Sequence, residues 1–171
     1  MVSVEFAKQN WLKYNELIDL YSERWKIKKE LICALIHEQS NFEKDKEVFL
    51  EEYYRKSMKE LDIPEDEKKW RATRIGLLQI TGQTAREIGY REYRDDFSDP
   101  ALNIYFGLKY FNSLLRYYRG DENFSIIAFE QTSRLKRVSD KDGNYLNKIY
   151  LDNVLKLKET YLSAINTQIS I

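Results

Sequence analysis

Residues 31–42 read Leu31-Ile-Cys-Ala-Leu-Ile-His-Glu-Gln-Ser-Asn-Phe42, "LICALIHEQSNF". An apolar run passes straight into His37, Glu38, Gln39, Ser40 and Asn41. It is far shorter than the roughly 18 apolar residues of a membrane span. A helix that is apolar on most faces belongs in a protein core, and its abrupt polar end marks where it meets the surface. The stretch therefore predicts a central helix from Lys28 to about Phe42. Cys33, the single cysteine, lies inside the run as a small hydrophobe, and no intramolecular disulfide can form.

Working outward, helical spacing dominates. Upstream, Trp11, Tyr14, Leu17, Ile18, Tyr21 and Trp25 form one stripe. Downstream, Val48 to Leu61 predicts a charged amphipathic helix closed by Ile63-Pro64, because the residue before proline avoids the helical region. "GLLQIT", residues 76–81, is a short apolar turn segment. Thr81 or Thr84 then caps a small helix to Ile88, with Gly89 as its stop. Asp99-Pro100 is a strong helix start, and that helix carries Leu102, Phe106, Tyr110 and Leu114 and ends by Gly120. A short apolar helix, Phe124 to Glu130, follows. After the polar turn Ser139–Asn144 the last long helix runs from Tyr145 to about Ala164. The expectation is one all-α domain over residues 1–171, with a small irregular or hairpin element around 64–81.

Composition narrows the function. Lys plus Arg and Asp plus Glu number 28 each, so nothing global points to nucleic acid or an anionic membrane. That balance suits a neutral polymer or small neutral substrate. The start, "MVSVEFAKQN", shows no signal peptide, which leaves the compartment open. With one histidine, Ser-His-Asp and Cys-His arrangements are untenable, and the spacing of His37 and Cys33 fits no standard zinc site. No glycine-rich phosphate loop is present. Neither a metal nor a cofactor is expected. Carboxylate chemistry on a carbohydrate-like substrate remains, with 13 tyrosines, 8 phenylalanines and 3 tryptophans available to stack on sugars. Most of that aromatic content, set at helical spacing, is expected in the core.

The order of the segments adds a resemblance. "ALIHEQSNF", then "GLLQIT" and "TAREIG", then "DPALNIYFGLKYFNSLL", then "IIAFEQ" and finally "IYLDNVLK" resemble the lytic transglycosylases of lysozyme-like fold. The likeness covers about residues 18–157, with an insertion of about twenty residues near 47–68. That insertion reads as a packed surface helix or as a wall over the cleft. The resemblance implies a lysozyme-like fold and action on peptidoglycan glycan strands, at the bond from N-acetylmuramic acid to N-acetylglucosamine. It implies a single glutamic acid, kept protonated by apolar surroundings, that protonates the glycosidic oxygen. The substrate's 2-acetamido group assists in place of a second carboxylate. The same residue then acts as base toward the sugar's 6-hydroxyl, giving a 1,6-anhydro product. A monomer is expected, in the cell envelope, secreted or associated with a phage, without a membrane span.

Carried onto this sequence, the resemblance places Gln39 at the position of the acid. Ser40, Gln79, Phe129, Glu130 and Tyr150 fall at substrate-binding positions. The departures are as informative as the matches. An amide supplies no acidic proton. Glu38 does not replace it, since adjacent helical residues point about 100° apart. Phe129 and Glu130 stand where the family has Tyr-Asn, and "KKWRATRI" replaces the small residues before "GLLQ", with Thr73 as a substitute hydroxyl. Gln39 is either an introduced exchange or the mark of a natural relative that has lost or rebuilt its catalysis. Alternative readings are a non-catalytic glycan-binding or structural module, a lysozyme-type hydrolase using a second carboxylate such as Glu130 or Asp142, and an unrelated helical interaction domain.

Overall fold

The computed structural model describes residues 2–131 and 138–169. Ser3 accepts from the Phe6 amide at 3.2 Å and so starts helix α1, Val4–Leu12. Helix α2, Asn15–Trp25, follows after a tight turn in which the Lys13 amide bonds back to Asn10 and Trp11. The aromatic stripe from Trp11 to Trp25 is thus divided between two helices. Spacing alone does not show the break, because Trp11 and Ile18 enter the same core from both sides of it.

Helix α3, Lys29–Ser40, is the central element, with every side chain from Leu31 to Ile36 buried. It ends at Asn41, whose amide donates to the His37 carbonyl at 2.8 Å. Asn41 and Phe42 both adopt left-handed backbone, φ 52° and 63°. A bulky residue there costs about 1–3 kcal/mol. Burial of the Phe42 ring against Tyr14, His37 and Tyr161 offsets that cost.

The charged helix expected over Val48–Leu61 is not what forms. Strand β1, Glu47–Phe49, comes first, then the short helix α4, Glu51–Tyr53, which widens into a π-helical turn over Tyr54–Met58. Pairing with a distant strand overrides the local charge pattern. Helix α5, Glu65–Arg71, starts after Pro64 and leads to β2, Thr73–Ile75, and β3, Ile80–Thr81. The hairpin expected near 64–81 is therefore β2–β3, preceded by a helix and completed into a three-stranded antiparallel sheet by β1.

Thr81 caps helix α6, Gly82–Glu87, by accepting from the Thr84 amide at 3.1 Å. A 3-10 turn, Arg94–Ser98, leads to α7, Pro100–Tyr117, where Asp99 accepts from the Ala101 and Leu102 amides. Helix α8, Glu122–Glu130, and helix α9, Lys148–Ile169, complete the order. Among the described residues the fold is nine α-helices with one small sheet, mainly helical as expected. The buried side chains form one continuous cluster in which α3 lies along α9.

Polar contacts tie the peripheral elements down. Glu67 on α5 is bonded by Arg71 at 2.8 Å and by Arg86 at 3.0 and 3.2 Å, and Arg86 also lies over the Trp70 ring. Burial pushes the Glu67 carboxyl up, but the hydrogen bonds and charges of Arg86 and Arg71 outweigh it and hold the group below its ordinary value. A carboxylate depressed in this way stabilises the fold above its unfolded pKa and loses that contribution as pH falls through the lower folded value. Acid titration of a Glu67→Gln variant is therefore expected to give a shallower loss of melting temperature below about pH 4 than the parent shows.

Candidate active site

The reversal at Asn41 and Phe42 brings the chain back over the end of α3. There Lys46 Nζ donates to the Gln39 carbonyl at 2.8 Å, placing a cation on the last turn of the helix where the backbone dipole favours it. The Lys46 carbonyl accepts from the Gly76 amide at 2.9 Å and from Gln79 Nε2 at 2.8 Å. One residue thus joins the helix end to the "GLLQ" turn.

The Gln39 side chain is 8% exposed, and its Nε2 donates to the Tyr150 hydroxyl at 2.8 Å. Tyr150 arrives on the first turn of α9, and burial raises its phenol pKa, so the hydroxyl keeps its proton. A group at position 39 is therefore walled by the apolar end of α3 and met by one neutral hydroxyl. An acid in such a place would be favoured in its protonated form.

Gln79 is held with φ 48° and is 3% exposed. Its amide nitrogen also donates to the Gly76 carbonyl at 2.8 Å. The turn that carries it is clamped by Asn103 in the middle of α7. Asn103 accepts from the Leu78 amide at 2.8 Å and donates to the Ile75 and Phe97 carbonyls at 2.9 and 3.2 Å. A Cβ on Gly76 (φ +74°) would lie 2.5 Å from Asn103 Nδ2, and one on Gly107 would lie 2.4 Å from Leu78 Cδ1. Both glycines let α7 and the turn approach this closely.

Other residues singled out by sequence have different surroundings. Ser40 Oγ donates to the Ile36 carbonyl at 3.1 Å, within its own helix, and the residue is 1% exposed. Phe129 is 1% exposed and packs on the Tyr110 and Phe111 rings, so its ring lies in the core. Glu130 ends α8 with its carboxylate partly exposed, 3.8 Å from Arg74 Nη2 and 3.3 Å from Asn147 Nδ2. Glu38 points to Asn153, one turn beyond Tyr150 on α9, at 3.0 Å. His37 Nδ1 is 2.8 Å from the Tyr161 hydroxyl among aromatic rings, and burial lowers its pKa. Thr73 donates to the Lys69 carbonyl, and Asp142 lies in the exposed turn before α9. Among the described residues, no group of three or more His, Cys, Asp or Glu side chains is arranged to hold a metal.

Sequence reasoning missed Lys46, Arg74, Asn103 and Asn147. Lys46 has no local signal, being one charge among several in a loop. Asn103 had one: an asparagine in mid-helix is a poor helix former and calls for a partner outside its helix. The Gln39–Tyr150 contact yields a first expectation. Tyr150→Phe removes the acceptor from a nearly buried amide and should lower stability by about 1–3 kcal/mol. Denaturant titration should show this as a lower midpoint with an unchanged slope.

An apolar helix ending beside a small sheet, with position 39 between them, is the arrangement of a lysozyme-like fold. A solved structure described as the lytic transglycosylase Slt from Pseudomonas aeruginosa, an inactive glutamate-to-glutamine mutant, has a TM-score of 0.62 to this chain at 16% identity. The match covers 90% of this chain and 24% of that one, so the chain spans only a minor part of that protein's length. No curated protein matches the sequence significantly. The family described as "Transglycosylase SLT domain" matches residues 16–150, and the chain belongs to that family. Among the described residues no helix is long and apolar enough to cross a membrane.

Proposed function

We propose that this chain is a peptidoglycan-binding domain of the lytic transglycosylase type in which Gln39 occupies the position of the single catalytic acid. The observation that carries this reading is the Gln39 amide, 8% exposed, at the end of an apolar helix and bonded to Tyr150. With a carboxylic acid there, burial would keep the proton on until the glycosidic oxygen of the muramic acid to glucosamine bond took it. The 2-acetamido oxygen would attack the anomeric carbon as the bond breaks. The carboxylate left at position 39 would then accept the proton of the 6-hydroxyl as that oxygen attacks the anomeric carbon, displaces the acetamido oxygen and closes the 1,6-anhydro ring. Gln79 and Glu130 line the sugar site in this reading, while Phe129 and Ser40 act from behind by fixing the ends of α8 and α3. The domain works as a monomer on the cell envelope or on wall material outside the cell.

An amide of nearly the same shape keeps the pocket and loses the proton. The chain as it stands should therefore sediment with insoluble peptidoglycan yet release almost no soluble muropeptide over hours. Failure to sediment would overturn the binding claim. Rapid release would overturn the assignment of position 39.

A second reading, a natural glycan-binding module without catalysis, is favoured by Glu130. Its carboxylate stands where the family has an asparagine and is engaged with Arg74 and Asn147. The variants described below separate the two.

A further inference from the structure

We propose that Arg74 reads the carboxyl-derived oxygen of the lactyl group on muramic acid, and so selects peptidoglycan over glycans built of N-acetylglucosamine alone. The inference rests on the functional reading above and adds a residue to it. In the register of the sheet, Arg74 lies opposite Val48 on one side and Thr81 on the other. Side chains on a strand alternate between faces, so Arg74 and Val48 share one face and Thr73 and Phe49 the other. Lys46, two residues before Val48, donates to the Gln39 carbonyl at 2.8 Å, so the start of β1 adjoins the end of α3. Arg74 extends to the end of α8, where Nη2 donates to the Glu130 carbonyl at 2.7 Å. Asn147, which donates to the Glu130 carboxylate at 3.3 Å, lies three residues before Tyr150, the residue whose hydroxyl accepts from Gln39.

The guanidinium is under-used. It has five N–H donors, and among the described residues its one hydrogen bond is to a main-chain carbonyl. The Glu130 carboxylate lies at 3.8 Å, beyond hydrogen-bonding distance, and is shared with Asn147. Arg74 Nε is enclosed and has no acceptor among the described residues. The side chain is 22% exposed. A half-satisfied guanidinium beside a sugar site is completed by an acceptor on the ligand, and a planar carboxylate or amide oxygen suits it best. In peptidoglycan every second sugar carries such a group on its 3-oxygen, as a free carboxylate or as the carbonyl joined to a peptide. Glycans of N-acetylglucosamine alone lack it.

The test is equilibrium binding of the full chain, with Gln39 in place so that ligands persist. Three ligands are compared: a chitooligosaccharide, a muramyl oligosaccharide with free lactyl carboxylates, and the same oligosaccharide bearing peptides. Arg74→Met should weaken both muramyl ligands by about tenfold or more, while chitooligosaccharide binding changes by less than about twofold. A free carboxylate as the true target would show as a larger loss on the peptide-free ligand, diminished by salt. Glu130→Gln should move the muramyl affinity upward, by removing the competing carboxylate. A merely structural role for Arg74 would not produce that opposite sign. Equal losses on all three ligands for Arg74→Met, or a fall in muramyl affinity for Glu130→Gln, would overturn the proposal. If the unaltered chain binds none of the ligands, the functional reading fails and this inference falls with it. If it binds chitooligosaccharide and muramyl ligands equally well, this inference alone fails.

Discussion

Gln39→Glu is expected to raise glycan cleavage by about 10²–10⁴-fold over the parent chain, the range typical of general acid–base catalysis. The exchange replaces an amide nitrogen by oxygen in a side chain of nearly the same size, 8% exposed and already bonded to Tyr150 at 2.8 Å. With glutamic acid at this position the protonated carboxyl can donate to the Tyr150 hydroxyl as the amide does, and the buried wall from Leu31 to Ile36 disfavours its ionised form. The rate should therefore fall on the alkaline side as that acid ionises, at a pH above the ordinary carboxyl range of about 4. A rate that instead rose from an ordinary carboxyl pKa would place the catalytic group elsewhere. Glu38 provides the internal comparison. It projects toward Asn153, and Glu38→Gln in the Gln39→Glu background should leave the rate within about threefold, because its carboxylate is turned about 100° away along the helix.

The largest stability effect is expected at Asn103. This side chain is fully buried and satisfies three main-chain groups: the Leu78 amide and the Ile75 and Phe97 carbonyls. Asn103→Ala leaves all three without partners and opens space beside Gly76. At about 1–3 kcal/mol for each of the three stranded groups the loss should be at least about 3 kcal/mol. That is a large part of the roughly 5–15 kcal/mol that holds a domain together. It should appear as a melting temperature lower by on the order of 10–20 °C. Ser163→Ala, at an exposed position on α9, is a control expected to stay within about 0.5 kcal/mol. Equal melting temperatures for the two variants would contradict the clamp between α7 and the "GLLQ" turn.

The elements that were legible in the sequence have local signals. The apolar run Leu31–Ile36 could only be a central helix, and Asp99-Pro100 and Thr81 start helices through hydrogen bonds to amides two or three residues on. Strand β1 was misread because its three residues are exposed on both faces. What makes them a strand is the partner β2, about 26 residues downstream, and no alternation of apolar side chains records that pairing. The aromatic stripe hid a helix break for a related reason: two helices that face one core keep the same pattern through a short turn.

The site divides along the same line. Position 39 was visible as the polar end of an apolar helix. Its partner Tyr150 lies 111 residues away, and only the order of family-like segments brought it into view. Glu130 appeared as an isolated departure from the family pattern, and Arg74 gave no signal of its own. Only the fold brings the two side by side.

The most direct measurement is mass spectrometry of the soluble products when folded Gln39→Glu protein is incubated with purified peptidoglycan. Muropeptides ending in 1,6-anhydro muramic acid, each lighter by one water than the hydrolysed form and absent from the parent digest, are the predicted result. No soluble muropeptide from a variant that binds the wall and melts like the parent would contradict the assignment of position 39 as the site of the acid.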